Sequence, residues 1–112
     1  MQCIVQKYGG SSVADAGRIK QVASRIAETV NDGARVVAVV SAMGDSTDRL
    51  IGLAHEVSDG PEPRELDVLL STGELVSCTL VAMSLRSMGI DAISLSGAQA
   101  GIRTDNRYGK AR

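Results

Sequence analysis

Aromatic residues are almost absent from this 112-residue chain, which has no tryptophan, no phenylalanine and only two tyrosines. This excludes a binding surface that stacks nucleic-acid bases on aromatic rings. The net charge of −1 provides no basic field for a nucleic acid or a membrane surface. Because 44% of the residues are apolar, we expect a folded domain whose core is built from aliphatic side chains.

Cysteine is equally scarce. Cys3 and Cys78 have neither zinc-site spacing nor a Cys-x-x-Cys arrangement, and both lie in apolar segments, where isolated cysteines are usually small buried residues. This usage predicts a cytoplasmic protein, since the cytosol keeps thiols reduced. The first residues lack the basic and apolar regions of a signal peptide, and no apolar run approaches the roughly 18 residues of a membrane span. The sequence therefore predicts neither a membrane nor a nucleic-acid partner.

The segments that are present alternate between strand and helix patterns. Strands are predicted at residues 2–8, 36–40 and 90–95, and the second of these is continuously apolar, which favours burial on both of its faces. Three helices lie between them. The first begins near residues 13–15 and stops at Asn31-Asp32-Gly33.

The second helix ends at the loop 59–63, which holds both prolines. The third occupies residues 64–71 and resumes over 75–88, with Ser71-Thr72-Gly73-Glu74 as an interruption. The later part is apolar nearly all round, so it is buried on several sides or covers a partner subunit. The order β-α-β-α-α-β predicts an α/β fold in which a parallel sheet carries helices on both faces.

Each predicted strand ends in a loop of glycines and small hydroxyl residues. In open α/β folds these loops meet at one edge of the sheet, which is where ligands bind. The first loop follows Lys7 and contains Gly9 and Gly10, so a lysine charge, an accessible backbone and a helix N-terminus come together. These features suit a phosphate group, although the lysine precedes the glycines and the segment is not a P-loop. A plain strand-turn-helix with a solvated lysine is the alternative.

Four segments, taken in order, resemble those of aspartate kinases of the bacterial, actinobacterial type. They are Lys7-Tyr8-Gly9-Gly10-Ser11-Ser12-Val13, Val40-Ser41-Ala42-Met43-Gly44-Asp45-Ser46-Thr47-Asp48, Leu70-Ser71-Thr72-Gly73-Glu74 and Ser96-Gly97-Ala98-Gln99-Ala100-Gly101-Ile102. The resemblance covers all 112 residues and implies an amino-acid-kinase fold. It implies transfer of the γ-phosphoryl group of ATP to the β-carboxylate of aspartate, the first step towards lysine, threonine and methionine.

The same resemblance implies a role for individual residues. Lys7 corresponds to the catalytic lysine that contacts the transferred phosphoryl group. The implied ATP- and phosphate-binding positions are Lys7, Tyr8, Gly9, Gly10, Ser11 and Ser41. The implied aspartate-binding positions are Asp45, Ser46, Thr47, Glu74 and, on weaker grounds, Arg25. ATP is expected with Mg²⁺, although no residue is an obvious direct metal ligand.

Structural roles compete with several of these assignments. Asp45 and Thr47 precede a predicted helix, where such residues usually act as N-caps. Glu74 follows a predicted break and would suit the first turn of a new helix. A glutamate or acetylglutamate kinase is a further alternative, which the segments 45–48 and 71–74 disfavour.

The resemblance also implies parts that these 112 residues do not contain, namely the nucleotide-binding half of the catalytic domain and regulatory ACT domains. We therefore expect residues 1–112 to be the N-terminal portion of an aspartokinase catalytic domain and to be inactive by themselves. The alternative is a non-catalytic fragment that binds aspartate weakly or only assembles with other chains. A sheet cut after three strands exposes an edge and apolar helices, which predicts a homo-oligomer or assembly with another aspartokinase chain.

Overall fold

The computed structural model describes residues 2–96, so residues 97–102 of the fourth motif lie outside the described part of the chain. A parallel pair of strands and three helices follow one another in the order β1, α1, β2, α2, α3. Their bounds are Cys3–Tyr8 for β1, Ala16–Asn31 for α1, Arg35–Val40 for β2, Ser46–Val57 for α2 and Pro63–Ser87 for α3. A short 3₁₀ helix, Gly10–Val13, joins β1 to α1. The predicted α/β class with a parallel sheet is confirmed.

Helix α1 supplies most of the core because its apolar residues recur at three- and four-residue steps. The Asp15 side chain caps this helix, its Oδ1 accepting a hydrogen bond from the Arg18 backbone N–H at 2.8 Å. Gly33 ends it with a φ of +99°, a value that favours glycine. The buried residues of the core come from four elements and are Val13, Ile19, Val22, Ala23, Ile26, Ala27, Val40, Val81 and Leu85.

Within residues 2–96, helices cover one face of the sheet and leave the other face open. Tyr8, Val36 and Ala38 pack against the core below the helices. The alternate residues Val5 and Val37 remain 67% and 52% exposed. The predictions of helices on both faces, and of a second strand buried on both faces, are therefore wrong for the described residues. A continuous apolar run shows that both faces of a strand are apolar, but it does not show that both are covered.

Two predicted features of the secondary structure, the third strand and the break in the third helix, are also wrong. Residues 90–95 form no strand, and the sheet of the described residues has two strands. Their side chains alternate between half-buried and exposed, as in a strand, but a strand requires a hydrogen-bonded partner and residues 90–95 form no ladder with β1 or β2. Helix α3 runs without a break through residues 71–74, and within it the Ser71 and Thr72 hydroxyls donate to the Val68 and Leu69 carbonyls, each at 2.6 Å.

Two further predictions, one on the burial of the cysteines and one on the length of apolar segments, differ from the structure. Cys3 is exposed on the open face of the sheet rather than buried, whereas Cys78 is half-buried and burial raises the pKa of its thiol. Helix α3 is long and apolar enough to cross a membrane by length and composition, since an 18-residue window within it has a mean hydropathy of 1.7. The expectation that no apolar segment reaches membrane length is therefore wrong, although Val81 and Leu85 of this helix pack into the protein core.

Candidate functional site

The carboxyl ends of the two strands lie side by side, since Lys7 pairs with Val39 and Tyr8 with Val40. The loop after β1 (residues 9–13, the first loop) therefore meets the loop after β2 (residues 41–45, the second loop). Two backbone hydrogen bonds join the segments: the Ser41 N–H donates to the Tyr8 carbonyl, and the Gly44 N–H to the Gly10 carbonyl, both at 3.0 Å. The predicted meeting of these two loops at one sheet edge is thus confirmed.

The two glycines of the first loop differ in what surrounds them. A Cβ atom on Gly10 would lie 3.0 Å from the Ala42 carbonyl oxygen, so glycine is needed there for the loops to approach each other. A Cβ atom on Gly9 would meet no atom within 4 Å. Gly10 therefore serves loop packing, while Gly9 borders open space in which a ligand can approach the backbone.

Helix α3 also contacts the second loop, through Gly73 and Ser77. The Ser77 side chain is fully buried, and its hydroxyl donates to the Ser41 carbonyl at 2.5 Å. A Cβ atom on Gly73 would lie only 2.9 Å from the Cβ of Ala42. The sequence analysis missed both residues. The available signal was the spacing of two small residues, four apart, in a helix of large apolar side chains.

Lys7 and Tyr8 point to opposite sides of the sheet, as successive strand residues do. Lys7 is exposed on the open face. The Tyr8 hydroxyl donates to Gln6 Oε1 at 2.7 Å, and its ring packs against the core. Burial raises the pKa of Tyr8, and the nearby charge of Arg25 opposes that shift. The Tyr8 side chain thus turns towards the helices, and its main-chain carbonyl accepts the hydrogen bond from the Ser41 N–H at the sheet edge.

The residues expected to bind aspartate include three at the start of α2. Asp45 occupies the N-cap position, but its side chain makes no capping hydrogen bond and instead pairs with Arg49 at 3.4 Å, both groups being exposed. Ser46 and Thr47 are the first two residues of the helix, and Thr47 is exposed. The N-cap alternative holds for the position of Asp45 but not for a capping role of its carboxylate.

Glu74 and Arg25 lie on different helices. Glu74 lies in the middle of α3 and its side chain is exposed. It directly follows Gly73, whose Cα packs against the second loop. The alternative that Glu74 serves a helix first turn is therefore wrong. Arg25 lies in the interior of α1 and lines a cavity of about 320 Å³ with residues of β1, the first loop and α1. The other lining residues are Tyr8, Ser12, Arg18, Gln21 and Val22.

The structure thus gathers Lys7, Gly9, Ser41 and the start of α2 at one edge of the sheet. Glu74 is carried beside that edge by the contact between α3 and the second loop. Among residues 2–96, no group of three His, Cys, Asp or Glu side chains could hold a metal ion. A lysine charge, exposed loop backbone and a helix N-terminus are features that bind and neutralise phosphate oxygens. A neighbouring carboxylate can pair with an ammonium group.

Comparison with known proteins gives a consistent result. The sequence profile of the amino acid kinase family matches residues 2–112. The chain is 56% identical to an aspartokinase from Mycolicibacterium smegmatis and 54% identical to one from Geobacillus stearothermophilus, over its whole length in both cases. It spans only 27% and 28% of those relatives. A crystal structure of aspartate kinase from Synechocystis matches with a TM-score of 0.81 at 53% identity, over 83% of this chain and 16% of that one.

Proposed function

The chain belongs to the amino acid kinase family, and from this premise we propose that it is the N-terminal part of an aspartokinase catalytic domain. The proposed reaction transfers the γ-phosphoryl group of ATP to the β-carboxylate of aspartate and yields aspartyl phosphate. The observation that supports it best is the junction of the first and second loops, where Gly44 and Ser41 bond to the backbone of residues 10 and 8. This junction brings phosphate-binding and carboxylate-binding residue types to one edge.

Lys7 is the proposed catalytic residue. Phosphoryl transfer depends mainly on positioning and on neutralising charge that moves from the γ-phosphoryl group to the leaving oxygen. An exposed lysine at the end of β1, next to the open backbone at Gly9, suits that task. The first loop and Ser41 would bind the phosphates through N–H and hydroxyl donors.

Glu74 and the start of α2 are the proposed aspartate site. The Glu74 carboxylate would pair with the α-ammonium group of aspartate. The Thr47 hydroxyl and the positive end of the α2 dipole would bind a carboxylate, with Asp45 and Ser46 beside them. Asp45 would leave its exposed partner Arg49 readily, because surface ion pairs of this kind contribute about 0–1 kcal/mol.

Mg²⁺ is proposed to accompany ATP rather than to occupy a preformed protein site. Magnesium commonly binds through substrate phosphates and one or two carboxylates, and it retains several waters. This suits the described residues, none of which forms a three-ligand cluster of His, Cys, Asp or Glu. Within them, the two cysteines are free thiols, which supports the proposal of a cytoplasmic protein.

The chain spans about a quarter of its relatives, so the sharpest test places it in a longer enzyme. In a chimera, residues 1–112 replace the matching segment of the Mycolicibacterium smegmatis aspartokinase. An ATP- and aspartate-dependent hydroxamate assay should detect product. Lys7→Ala should lower kcat, whereas Lys20→Ala, which removes an exposed lysine from α1, should not. Equal loss of activity in both variants would contradict the role of Lys7.

Glu74→Gln tests the aspartate site in the same chimera. We expect the KM for aspartate to rise while the KM for ATP stays unchanged. Asp67→Asn is the matched control, because it removes a carboxylate two turns earlier in α3. A rise in the KM for ATP instead would show that the substrate sites have been assigned the wrong way round.

The isolated chain and the chimera together distinguish the alternative function. We expect no hydroxamate from residues 1–112 alone, together with weak aspartate binding that Glu74→Gln removes. Product from the isolated chain that Lys7→Ala abolishes would refute the expectation that further residues are needed. An inactive chimera with retained aspartate binding would favour a non-catalytic fragment.

A further inference from the structure

One turn of helix α3 is docked on the second loop by two contacts. This turn, which we call the α3 turn, begins at Gly73 and ends at Ser77. At its start, a Cβ atom on Gly73 would lie 2.9 Å from the Cβ of Ala42, so the helix backbone touches the loop there. At its end, the hydroxyl of the fully buried Ser77 donates to the Ser41 carbonyl at 2.5 Å. Glu74 lies between these two contacts, and its side chain is exposed.

Ser77 differs from Ser71 and Thr72 of the same helix in where its hydroxyl donates. The hydroxyls of those two residues bond to carbonyls of their own helix, as serine and threonine commonly do. The Ser77 Oγ also lies near such carbonyls, 3.1 Å and 3.4 Å from those three and four residues before it. Its shortest contact, however, is with Ser41, 36 positions away. A hydroxyl has one proton to donate, and the shortest distance assigns it to the contact between helix and loop.

The second loop is in turn joined to β1. The Ser41 N–H donates to the Tyr8 carbonyl at 3.0 Å, so the backbone of Ser41 is bonded to β1 through its N–H and to α3 through its carbonyl. Tyr8 directly follows Lys7, the proposed catalytic residue. A continuous set of hydrogen bonds therefore leads from the strand end that carries Lys7, through Ser41, to the α3 turn that carries Glu74.

The α3 turn also touches helix α2. A Cβ atom on Gly73 would lie 3.6 Å from Leu50 Cδ1. Leu50 follows Thr47 in α2 by three residues, which is about one helical turn. The two elements proposed to bind aspartate, namely the start of α2 and the segment that carries Glu74, are therefore packed against each other beside the second loop.

We propose that Ser77 is a positioning residue for phosphoryl transfer, an inference that rests on the proposed function. Because its side chain is fully buried, Ser77 acts through Glu74 and the second loop rather than by contact with a substrate. Its hydrogen bond to Ser41 fixes the Glu74 carboxylate, which would hold aspartate, relative to the loops that would hold the phosphates. Reaction between two bound substrates depends steeply on alignment, since a misplacement of about 1 Å can lower the rate about 100-fold.

Removal of the hydroxyl should loosen the α3 turn without releasing it. The contact between Gly73 and Ala42 remains in Ser77→Ala, and alanine is well suited to a helix interior. We therefore expect a folded chain in which Glu74 is less precisely placed. In the chimera with the Mycolicibacterium smegmatis aspartokinase, Ser77→Ala should lower kcat/KM for aspartate about tenfold.

A double-mutant cycle with Glu74→Gln separates positioning from a general loss of stability. If Ser77 acts through the Glu74 carboxylate, a chain without that carboxylate has little left for the hydroxyl to position. In the Glu74→Gln chimera, Ser77→Ala should therefore lower kcat/KM for aspartate by no more than about twofold. Two independent effects would instead multiply, and Ser77→Ala would cause the same decrease in both backgrounds.

Ala27→Gly is the control for stability. Ala27 lies in the interior of α1, where glycine destabilises the chain through its low helix propensity but leaves the α3 turn unchanged. This variant should change kcat/KM for aspartate by less than about twofold in both backgrounds. Urea unfolding verifies that it loses at least as much stability as Ser77→Ala and that both are folded. A decrease as large as that of Ser77→Ala would assign the effect to lost stability and refute the proposal.

Three other results would also overturn it. An equal decrease in both backgrounds would show that Ser77 acts independently of Glu74 and has only a structural role. An unchanged kcat/KM in Ser77→Ala, together with a raised KM for aspartate in Glu74→Gln, would refute the positioning role and leave the proposed aspartate site intact. An unchanged KM for aspartate in Glu74→Gln would refute that site, and the positioning role with it.

Discussion

Replacement of Ser77 by alanine should loosen the junction between α3 and the second loop. Ser77 is fully buried, and its hydroxyl donates to the Ser41 carbonyl at 2.5 Å across 36 positions of sequence. Loss of such a hydrogen bond costs about 0.5–1.5 kcal/mol, and this bond is partly buried. Alanine returns a few tenths of a kcal/mol, because it is the better helix former. We expect a net loss of about 0.5–1 kcal/mol in the free energy of unfolding.

Urea unfolding followed by circular dichroism measures this change. Ser71→Ala is the matched control, because Ser71 is exposed in the same helix and its hydroxyl bonds only to the Val68 carbonyl of its own turn. That variant should stay within about 0.5 kcal/mol of the parent chain. Each kcal/mol corresponds to roughly 4 °C in Tm for a chain of this size. If the two variants unfold at the same urea concentration, the Ser77 hydrogen bond does not hold the second loop.

Three further perturbations test the fold. Gly73→Ala should destabilise the chain by about 1 kcal/mol, because overpacking against Ala42 exceeds the gain in helix propensity. Gly52→Ala is the control: its side chain would enter open space, so it should stabilise the chain by up to about 1 kcal/mol. Urea unfolding of both variants tests these two expectations. Asp15→Ala should cost about 1 kcal/mol in the same assay through the lost cap of α1. Cys3 should react with a thiol reagent at neutral pH well before Cys78, because the raised pKa of Cys78 lowers its thiolate fraction. Labelling followed by mass spectrometry of peptides measures the order of reaction, and faster labelling of Cys78 would contradict this expectation.

The elements predicted correctly are those whose signals are local. Helix α1 has a periodic apolar face, a capping aspartate and a terminal glycine, and all three act within one segment. Local signals were not sufficient to predict whether the third strand forms. Residues 90–95 have an alternating pattern, but a strand also needs a partner, and pairing depends on distant parts of the chain.

The interruption predicted at residues 71–74 has a related explanation. Serine, threonine and glycine weaken an isolated helix, so their sequence indicates a break. In the folded chain, the Ser71 and Thr72 hydroxyls bond within the helix, and Gly73 allows close contact with Ala42. Tertiary packing thus favours a residue that local propensity disfavours. The same dependence on a distant contact explains why Gly73 and Ser77 were missed as supports of the site.

The candidate site was predicted in part for the same reason. Lysine, glycine and hydroxyl residues at strand ends indicate a ligand edge, and parallel pairing brings two such ends together. The sequence pattern could not separate the two glycines of the first loop, since only the folded chain shows that Gly10 touches the second loop and Gly9 does not. Nor could it show that the Tyr8 side chain turns towards the core, because that depends on which face of the sheet the helices cover.

The open sheet face shows the limit of hydrophobic patterns most clearly. Val5, Val37 and Val39 are as apolar as the residues that α1 covers, yet they are 67%, 52% and 49% exposed. A pattern records which surfaces gain free energy from burial, and the chain or partner that buries them is separate information.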